Sequence, residues 1–467
     1  MPDKNSFYIT TAIDYVNGVI HIGHAYQKIV SDVIARYNRL SNNNTFFLTG
    51  TDEHGGKSQQ SAEKEGKTPK EYVDEISAED KKQIDALNIS YDRFFRTTDE
   101  DHKKFVKEFY LKVKENGDIY KGEYIGLYCT GCEEYKTPNQ IVNGKCPLHP
   151  TRTLEKIKEE NYFFEWSKYT DFLKKHIEDN PDFILPDSQR KNMLGFLNEG
   201  LEDIAISRPY EKISWGIPVP DDPTQTIYVW FDALINYLTY GIEKKCWPAD
   251  IHVVGKDNVR WHALLWPAML KSAGYELPKT IYGHGFMTIN GEKISKSLGN
   301  VIKPSDLVKQ FGVDGTRYFF IKYGPWTEDV DFTINKIEEV YNSDLANGLG
   351  NLISRVAKLA ENSKLDFKPS KILEVDPEID FNLKKLEIKA IDIIWTKIKE
   401  LDILINAKKV WTLEGDELQK VLEFLVTDIR QIAHDLKPFL PETAEKIEKQ
   451  FGSSKIKSGQ PLFPRLK

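Results

Sequence analysis

The sequence predicts an α/β protein in which a Rossmann-like parallel sheet is split by an insertion and followed by an all-α bundle. Three observations support this class. Strand and helix patterns alternate in residues 1–115 and again in residues 201–290. A cluster of cysteines marks the intervening residues 116–200, and residues 336–467 show helical spacing throughout. A chain of 467 residues is long enough to form several domains with their own cores.

Charge and composition exclude several classes of protein. The net charge of -7 argues against a general nucleic-acid coat, although it is compatible with one local basic face. No run of about 18 apolar residues would cross a membrane, and the chain enters its first predicted strand without a signal or transit peptide. Four cysteines in a chain of this length suit a reducing compartment, so we expect a cytoplasmic protein.

The first predicted strand, residues 7–11, leads into a turn with two histidines and then into a helix. His21 and His24 stand at the predicted start of that helix, where free N–H groups and the helix dipole favour anions. Gly23 has no Cβ, so a phosphate or a flat ring could approach its backbone closely. The four-residue match is weak evidence by itself, because a surface turn with two solvated histidines has the same pattern.

A second predicted strand, residues 45–49, runs into the segment TGTDEHG. Ligands of open α/β sheets bind at such strand ends. Two Gly-Lys-Ser or Gly-Lys-Thr runs follow at 56–58 and 66–68, but neither is a P-loop. A P-loop has the pattern G-x-x-x-x-G-K-[ST], with a first glycine five residues before the second. Thr51 stands at that first position in one run and Ser61 in the other. Any ATP site is therefore of another kind.

Residues 116–200 contain a predicted metal site. Cys129 and Cys132 are separated by two residues, and Cys146 and His149 repeat this spacing after thirteen residues. Such pairs present two ligands from one tight turn, and four ligands fill the tetrahedral coordination sphere of zinc. Because no open position remains for a reacting molecule, we expect one structural Zn²⁺ ion per chain.

The α/β pattern returns with predicted strands at 226–230 and 251–254, after which a glycine-rich loop contains Lys293, Lys296 and Ser297. Two lysines three residues apart can clamp a polyphosphate. A solvated basic loop is the alternative for this run taken alone.

The rest of the chain predicts a helical bundle. Its amphipathic stretches end at proline or glycine punctuation, as helices do. The predicted helices cover residues 345–359, 383–405 and 418–436.

In this order, the histidine turn and the lysine loop resemble the two signatures of the class I aminoacyl-tRNA synthetases. The first, HIGH, is complete in residues 21–24, and the second, KISKS in residues 293–297, has Ile294 where the family pattern has methionine. Other segments resemble the methionyl-tRNA synthetase family over essentially the whole chain. They are residues 13–18, TGTDEHG, 229–233, 255–257 and 344–355.

The resemblance implies an enzyme that converts L-methionine and ATP, with Mg²⁺, to methionyl-adenylate and pyrophosphate. It then transfers methionine to the 3′ end of tRNA(Met), including the initiator. The implied catalytic residues are His21, His24, Lys293 and Lys296. The implied ATP-binding residues are Gly23, Gly255, Asp257, Lys296 and Ser297. The implied methionine-binding residues are Ile13, Tyr15, Asp52, Trp230, Leu234, Tyr237, His262 and Trp266, with Asp52 opposite the substrate ammonium. Asn347, Asn351, Arg355 and Trp411 would read the anticodon.

The resemblance also implies the role of each segment. Residues 1–115 and 201–290 would form the catalytic domain, and 116–200 the connective insertion with its zinc knuckle. Residues 291–335 would contain the lysine loop and the stem-contact region, and 336–467 would form the anticodon-binding domain. No appended domain follows, so we expect a monomer.

Four alternatives are weighed against this assignment. Synthetases for leucine, isoleucine or valine carry a large editing insertion, and the interval between His24 and Lys293 is too short to hold both this insertion and the catalytic fold. A cysteine synthetase uses zinc in its amino-acid site, whereas here four ligands cluster in an insertion. A nucleotidyltransferase would not need the helical C-terminal part. A non-catalytic RNA-binding module would not need the two intact signatures.

Overall fold

The computed structural model describes residues 6–132, 134–136, 140–294, 301–368 and 374–466. It confirms the predicted fold class: a parallel sheet, an insertion that contains the cysteine cluster, and a helical C-terminal part. The chain divides into two compact units. The first comprises residues 1–19, 48–81 and 92–283, and the second comprises 20–47, 82–91 and 284–467.

The strands are short and many, as expected of an α/β protein with an antiparallel insertion. In chain order they are β1 (Ser6–Thr11), β2 (Asp14–Tyr15), β3 (Asn44–Asp52), β4 (Arg93–Arg96), β5 (Ile119–Cys129), β6 (Glu134–Lys136), β7 (Glu155–Phe164), β8 (Ile184–Leu185), β9 (Ile204–Ala205), β10 (Ser207–Pro209), β11 (Pro218–Val219), β12 (Asp222–Ile227), β13 (Ile251–Gly255), β14 (Thr280–His284), β15 (Met287–Ile289), β16 (Glu292–Lys293) and β17 (Val330–Phe332).

Helices occur in all parts of the chain and dominate its C-terminal part. In chain order they are α1 (Ile22–Leu40), α2 (Gly56–Lys64), α3 (Pro69–Asp85), α4 (Glu100–Glu115), α5 (Thr170–Asp179), α6 (Asp187–Glu199), α7 (Val229–Leu234), α8 (Asn236–Glu243), α9 (Trp266–Ser272), α10 (Pro304–Tyr323), α11 (Ile334–Val340), α12 (Asn351–Ser363), α13 (Pro377–Lys384), α14 (Ile391–Ala407), α15 (Gly415–Leu436) and α16 (Pro441–Phe451). Two π-helical segments, Trp261–Leu265 and Tyr341–Gly350, precede α9 and α12.

The first unit is organised around the main sheet, whose strand order is β2-β3-β1-β13-β14-β8, with β4 also paired to β3. The pairs β1–β13, β2–β3, β3–β4 and β8–β14 run parallel. Parallel strands bring their carboxyl ends to one edge, which is where such sheets bind ligands. Three residues predicted to bind substrate lie at these carboxyl ends: Tyr15 ends β2, Asp52 ends β3 and Gly255 ends β13.

The insertion forms a separate antiparallel sheet of order β6-β5-β7-β9. β5 and β7 pair from Ile119↔Phe164 to Tyr128↔Glu155, and Cys129 is the last residue of β5. Strands β1–β4 of the main sheet precede β5, β6 and β7, and strands β8, β13 and β14 of the main sheet follow them. The predicted interruption of the sheet is therefore confirmed.

The prediction of a strand over residues 226–230 is wrong at its C-terminal end. β12 ends at Ile227, and α7 begins at Val229 with Tyr228 as its N-cap. The β-branched and aromatic composition favours a strand, but burial and tertiary contacts override propensity in so short a segment. Because residues 229–234 form a helix, Trp230 and Leu234, which are four residues apart, lie on the same face of it.

The second unit contains α1, α10–α16 and a small sheet of order β16-β15-β17. Arg317 on α10 and Asp32 on α1 form a fully buried ion pair at 2.8 Å. The remaining guanidinium donors of Arg317 reach the carbonyl oxygens of Leu87, Pro438 and Phe439. One buried side chain therefore joins α1, the segment 82–91, α10 and the turn between α15 and α16.

The prediction of one helix over residues 383–405 is also wrong, because α13 ends at Lys384 and α14 begins at Ile391. Leu386 in the connection has φ +62°, a left-handed conformation that a helix cannot continue through. Its carbonyl accepts a hydrogen bond from the Trp326 indole at 2.8 Å.

Among the described residues, none of the helices has both the length and the apolar character needed to cross a membrane.

Candidate functional site

The two histidines of the HIGH segment lie at the N-terminus of α1, as predicted. His21 caps the helix, and its Nδ1 accepts a hydrogen bond from the Gly23 N–H at 3.0 Å. His24 Nδ1 accepts from the His21 N–H at 3.3 Å, and the two ring centres are 4.0 Å apart. Because Nδ1 of each ring is an acceptor, a neutral ring carries its proton on Nε2. Each histidine can therefore donate from Nε2.

Glycine is required between them for a steric reason. A Cβ on residue 23 would lie 2.9 Å from Cε1 of His21, so any side chain would displace the capping ring. The first turn of α1 contains no acidic residue. The helix end therefore keeps the positive character that favours a bound anion.

The lysine signature is only partly described. Lys293 belongs to β16, which pairs antiparallel with β15, whereas Lys296 and Ser297 lie outside the described residues. The chain resumes at Val301, and the next carbonyl, that of Ile302, accepts a hydrogen bond from the Ile22 N–H at 3.1 Å. The chain that leaves the lysine loop is therefore tied to the start of α1.

In the first unit, the predicted ATP- and methionine-binding residues follow the carboxyl ends of strands. Tyr15 in β2 pairs in register with Asp52 at the end of β3, whose side chain is buried. Gly255 ends β13, and the Asn258 N–H donates to its carbonyl at 2.8 Å. This bond closes a turn that contains Asp257. The structure thus places these residues where the fold predicts ligands.

The aromatic residues of the predicted methionine pocket contact one another. The half-buried Trp230 meets Tyr15 edge-on with ring centres 6.1 Å apart, and it meets His262 edge-on at 6.3 Å. Tyr237 contacts both His262 and the fully buried Trp266. Leu234 is buried one helical turn after Trp230. Aromatic faces of this kind make favourable contacts with a polarisable sulfur atom.

The Tyr237 hydroxyl and the His262 ring inside this pocket are already hydrogen-bonded. His262 Nδ1 lies 2.9 Å from the Asn258 carbonyl, which can only accept, so the ring proton is on Nδ1. His262 Nε2 then accepts from the Tyr237 hydroxyl at 2.8 Å. That hydroxyl accepts in turn from the Ile13 N–H. Burial lowers the pKa of His262 to about 4, so the ring is neutral at neutral pH.

Sequence reasoning missed a buried network beside the pocket. Asp232 on α7 accepts from His54 Nδ1 and from His102 Nε2, both at 2.7 Å. Burial alone would raise the pKa of Asp232, but the two histidines lower it to about 2. His54 follows Asp52 by two residues, and Asp232 follows Trp230 by two. The network therefore connects the segment that contains Asp52 to the helix that contains Trp230. A single acid within the apolar segment VWFDAL was the sequence signal for such partners.

Trp261 was also missed. It stacks on Trp230 with ring centres 4.8 Å apart and an interplanar angle of 19°. It lies in the π-helical segment before α9, where a widened turn changes the direction of side chains.

The four predicted zinc ligands lie together in the insertion. Their ligand atoms all lie within 4.8 Å of one another. The Cys132 sulfur lies 3.5 Å from that of Cys146 and 3.3 Å from His149 Nδ1, and Cys129 Sγ lies 3.8 Å from the same nitrogen. A tetrahedron with Zn–S and Zn–N arms of about 2.0–2.3 Å has edges of about 3.5–3.8 Å. The donor set and its spacing fit a bound metal ion.

Local sequence explains how the cluster closes. A Cβ on Gly131 would lie 2.4 Å from the His149 ring, so glycine between the first two cysteines gives the imidazole its place. The His149 N–H donates to the Cys146 carbonyl at 3.0 Å, which forms the second tight turn.

The four predicted anticodon residues lie in the second unit. Asn347 lies in the π-helical segment, Asn351 begins α12, and both are exposed. Arg355, one turn later, donates to Asp402 and, at 2.8 Å, to the Asn406 side-chain oxygen on α14. Trp411 is 57% exposed in a short 3₁₀ turn. The structure thus places Asn347, Asn351 and Trp411 in solvent and Arg355 in a side-chain network.

Fold and sites together define the class of protein. The family described as tRNA synthetases class I (M) matches residues 7–156 and 149–357. This match covers both halves of the main sheet, the HIGH segment, the KISKS loop and the start of α12. The chain is a class I tRNA synthetase by this criterion.

Individual relatives narrow the assignment. The chain is 43% identical to the methionine–tRNA ligase of Clostridium acetobutylicum over 100% of its own length and 79% of that protein. It is 42% identical to the enzyme of the same name from Caldanaerobacter subterraneus subsp. tengcongensis over 99% of this chain and 79% of that protein. The Mycobacterium tuberculosis methionyl-tRNA synthetase in complex with methionyl-adenylate superimposes with a TM-score of 0.90, at 34% identity, over 99% of this chain and 100% of that one. The chain belongs to the methionine–tRNA ligase family.

Proposed function

We propose that this chain joins L-methionine to tRNA(Met), including the initiator, in two steps. The carboxylate of methionine attacks the α-phosphate of ATP, which enters with Mg²⁺, and pyrophosphate leaves. A ribose hydroxyl at the 3′ end of the tRNA then attacks the methionyl-adenylate and releases AMP. The observation that carries the proposal is the aromatic pocket with its hydrogen-bonded Tyr237–His262 pair. The similar M. tuberculosis enzyme, whose solved structure contains methionyl-adenylate, supports it.

Methionine recognition is assigned to the first unit. Trp230, Tyr237 and Trp266 would contact the thioether side chain through their ring faces. Asp52 would pair with the substrate ammonium, because a compact cation needs a well-placed carboxylate where water is excluded. The hydroxyl proton of Tyr237 is committed to His262, so the pocket would offer the side chain an apolar surface on which a polar side chain would leave its own groups unpaired.

Phosphate chemistry is assigned to the second unit. His21 and His24 would donate from Nε2 to phosphate oxygens, most strongly when charge increases in the transition state. Lys293 and Lys296 would bind the leaving pyrophosphate, and Gly23 and Ser297 would contact ATP. Gly255 and Asp257, in the turn after β13 of the first unit, would lie by the adenosine. The protein's contribution is positioning and neutralisation, so no general base is assigned.

The Cys129–Cys132–Cys146–His149 cluster is assigned to one structural zinc ion. Three thiolates and an imidazole match the preference of zinc for soft ligands and tetrahedral geometry. When bound, the ion would stabilise the insertion and take no part in the reaction. The proposal also includes the division of the chain into the five segments given above. It further includes a monomeric state and a cytoplasmic location.

Asn347, Asn351, Arg355 and Trp411 are proposed to read the anticodon. Amide and guanidinium groups recognise the edges of unpaired bases, and an exposed indole provides a surface on which a base can stack. Arg355 would then act from within its network with Asp402 and Asn406.

ATP–pyrophosphate exchange tests the proposal directly. We would run it with each of the twenty amino acids in turn and without tRNA. Exchange with methionine alone is expected. Exchange with cysteine would overturn the pocket assignment, and absence of exchange with every amino acid would overturn the proposed activity. In the same assay, Lys296→Ala should reduce the rate constant strongly while methionine binding is retained.

A further inference from the structure

A short segment, residues 461–466, lies against the π-helical part of the predicted anticodon helix. The Leu466 N–H donates to the Asn342 side-chain oxygen at 3.0 Å, and the Asn342 amide donates back to the Leu466 carbonyl. The buried Phe463 meets the Tyr341 ring edge-on at 5.9 Å. These contacts fix the segment on both sides of Arg465.

A cavity of about 400 Å³ lies between this segment and the helix. Asn347, Asn351 and Ser354 line one side of it, and Pro461, Phe463 and Pro464 line the other. Cavities of this size accept small molecules or single groups of a larger ligand. Polar groups on one wall and flat apolar groups on the other suit an unpaired nucleobase, whose edge forms hydrogen bonds and whose face packs.

Arg465 determines which way the Asn347 amide points. Its Nε and Nη2 lie 2.9 and 2.5 Å from the Asn347 side-chain oxygen. A guanidinium group has only donors, so the atom that faces it must be Oδ1 and cannot be the amide nitrogen. The NH₂ group of Asn347 therefore points away from Arg465, and in this orientation it can only donate.

We propose that residues 461–465 complete a nucleobase site of the tRNA, in which Arg465 orients Asn347 as a hydrogen-bond donor towards a base that presents acceptor atoms. Arg465 is a positioning residue in this site, and Asn347 is the residue that contacts the base. The inference rests on the proposed function, because it takes a tRNA as the substrate, and it adds a second wall to the anticodon helix.

The test compares three variants by tRNA charging. The substrates are a methionine tRNA transcript and three transcripts that each have one anticodon base replaced. Charging is expressed relative to ATP–pyrophosphate exchange by the same preparation. Asn347→Asp keeps an oxygen for Arg465, so the segment stays anchored and the thermal midpoint is retained, but the donor is lost. We expect relative charging of the unaltered transcript to fall about tenfold.

Arg465→Gln frees the amide to rotate. We expect a higher KM for the tRNA and weaker discrimination at one anticodon position, with partial recovery of that discrimination in Arg465→Lys. The control is Lys457→Gln, which removes an exposed positive charge a few residues before the segment 461–466. It should behave as the wild type.

Two results would overturn the inference. One is normal relative charging by Asn347→Asp. The other is an Arg465→Gln variant that loses the same factor on all four transcripts, because this would show a phosphate contact without base selection. Neither result affects the proposed activity, which instead depends on wild-type exchange with methionine.

Discussion

The interior sites of the first unit differ from the helix face of the second in their exposure to water. Leu234, Tyr237 and Trp266 are at most 1% exposed, and the polar atoms of the Tyr237–His262 pair are bonded to each other and to backbone. Asn347 and Asn351 are exposed, and Trp411 is 57% exposed. Both regions contain aromatic side chains together with side chains that form hydrogen bonds. Only the region in the first unit is shielded from water before a ligand arrives.

The difference follows from the size of the proposed ligands. An amino acid can be enclosed completely, and a buried polar group beside it that lacks a partner costs free energy. The Tyr237 hydroxyl and the His262 ring avoid this cost by bonding to each other. A tRNA covers the surface that it contacts only when it binds. Until then water can satisfy the exposed side chains, apart from the Asn347 oxygen, which accepts from Arg465. Interior substitutions should therefore change stability and activity together, whereas substitutions on the helix face should change only tRNA charging.

The largest effect is expected at the metal cluster. Cys146→Ser replaces a buried thiolate with a weak ligand, and structural zinc contributes an apparent binding free energy of about 10–16 kcal/mol to such sites. We expect the zinc content to fall from one ion per chain to none and proteases to cleave residues 116–200. Cys246→Ser, at a buried cysteine outside the cluster, is the matched control. Full zinc content in Cys146→Ser would contradict the assignment.

Asp52→Asn should have the next largest effect. The isosteric amide leaves the substrate ammonium without a counter-charge in a buried site, which costs about 3–5 kcal/mol and corresponds to roughly 10²–10⁴-fold in rate. Methionine-dependent ATP–pyrophosphate exchange measures the loss. Asp171→Asn, at an exposed aspartate on α5, should leave exchange unchanged. A decrease below tenfold for Asp52→Asn would place the ammonium elsewhere.

In the exposed region of the second unit, Trp411→Ala should reduce tRNA charging about tenfold, since stacking on an aromatic side chain contributes about 1–3 kcal/mol per base. The free energy of unfolding should change by less than about 0.5 kcal/mol, as at other exposed positions. Phe424→Ala on α15 removes another half-exposed aromatic residue and should change neither quantity. If Trp411→Ala destabilises the protein as an interior substitution would, the contrast between the two regions fails.

The smallest effect concerns pH. The pKa of His262 is about 4 in the fold, below the ordinary value of about 6.5 in an unfolded chain. The unfolded state therefore binds more protons between pH 6.5 and 4, and the free energy of unfolding falls as the pH falls through this window. Above pH 6.5 this contribution is constant.

His262→Gln should reduce the loss of stability between pH 7.5 and pH 5 by roughly 1–2 kcal/mol. Urea unfolding at the two pH values measures it. His284, whose pKa burial also lowers to about 4, contributes a parallel loss that persists in this variant. An identical pH dependence for wild type and His262→Gln would show that the ring is not held neutral.

Local sequence determined more of the fold than of the sites. The helix start at His21, the strands at β1, β3 and β13, and the four ligands of the cluster depend on residues close in sequence or on fixed spacing. The two errors, at residues 226–230 and 383–405, arose where tertiary contacts override propensity. The missed site residues have distant partners: Asp232 is 178 residues from His54, and Arg465 is 118 residues from Asn347. No local pattern records such pairs.

The buried Arg317 has a consequence for how the second unit can be dissected. Its guanidinium takes partners from α1, from residues 82–91 and from the turn between α15 and α16. If α15 and α16 were removed, this charge would lose two of its acceptors inside an apolar core, at a cost of several kcal/mol. We therefore expect the helix capped by His21 and the C-terminal helices to unfold together. A fragment that ends before α15 would lose part of the packing that supports this helix.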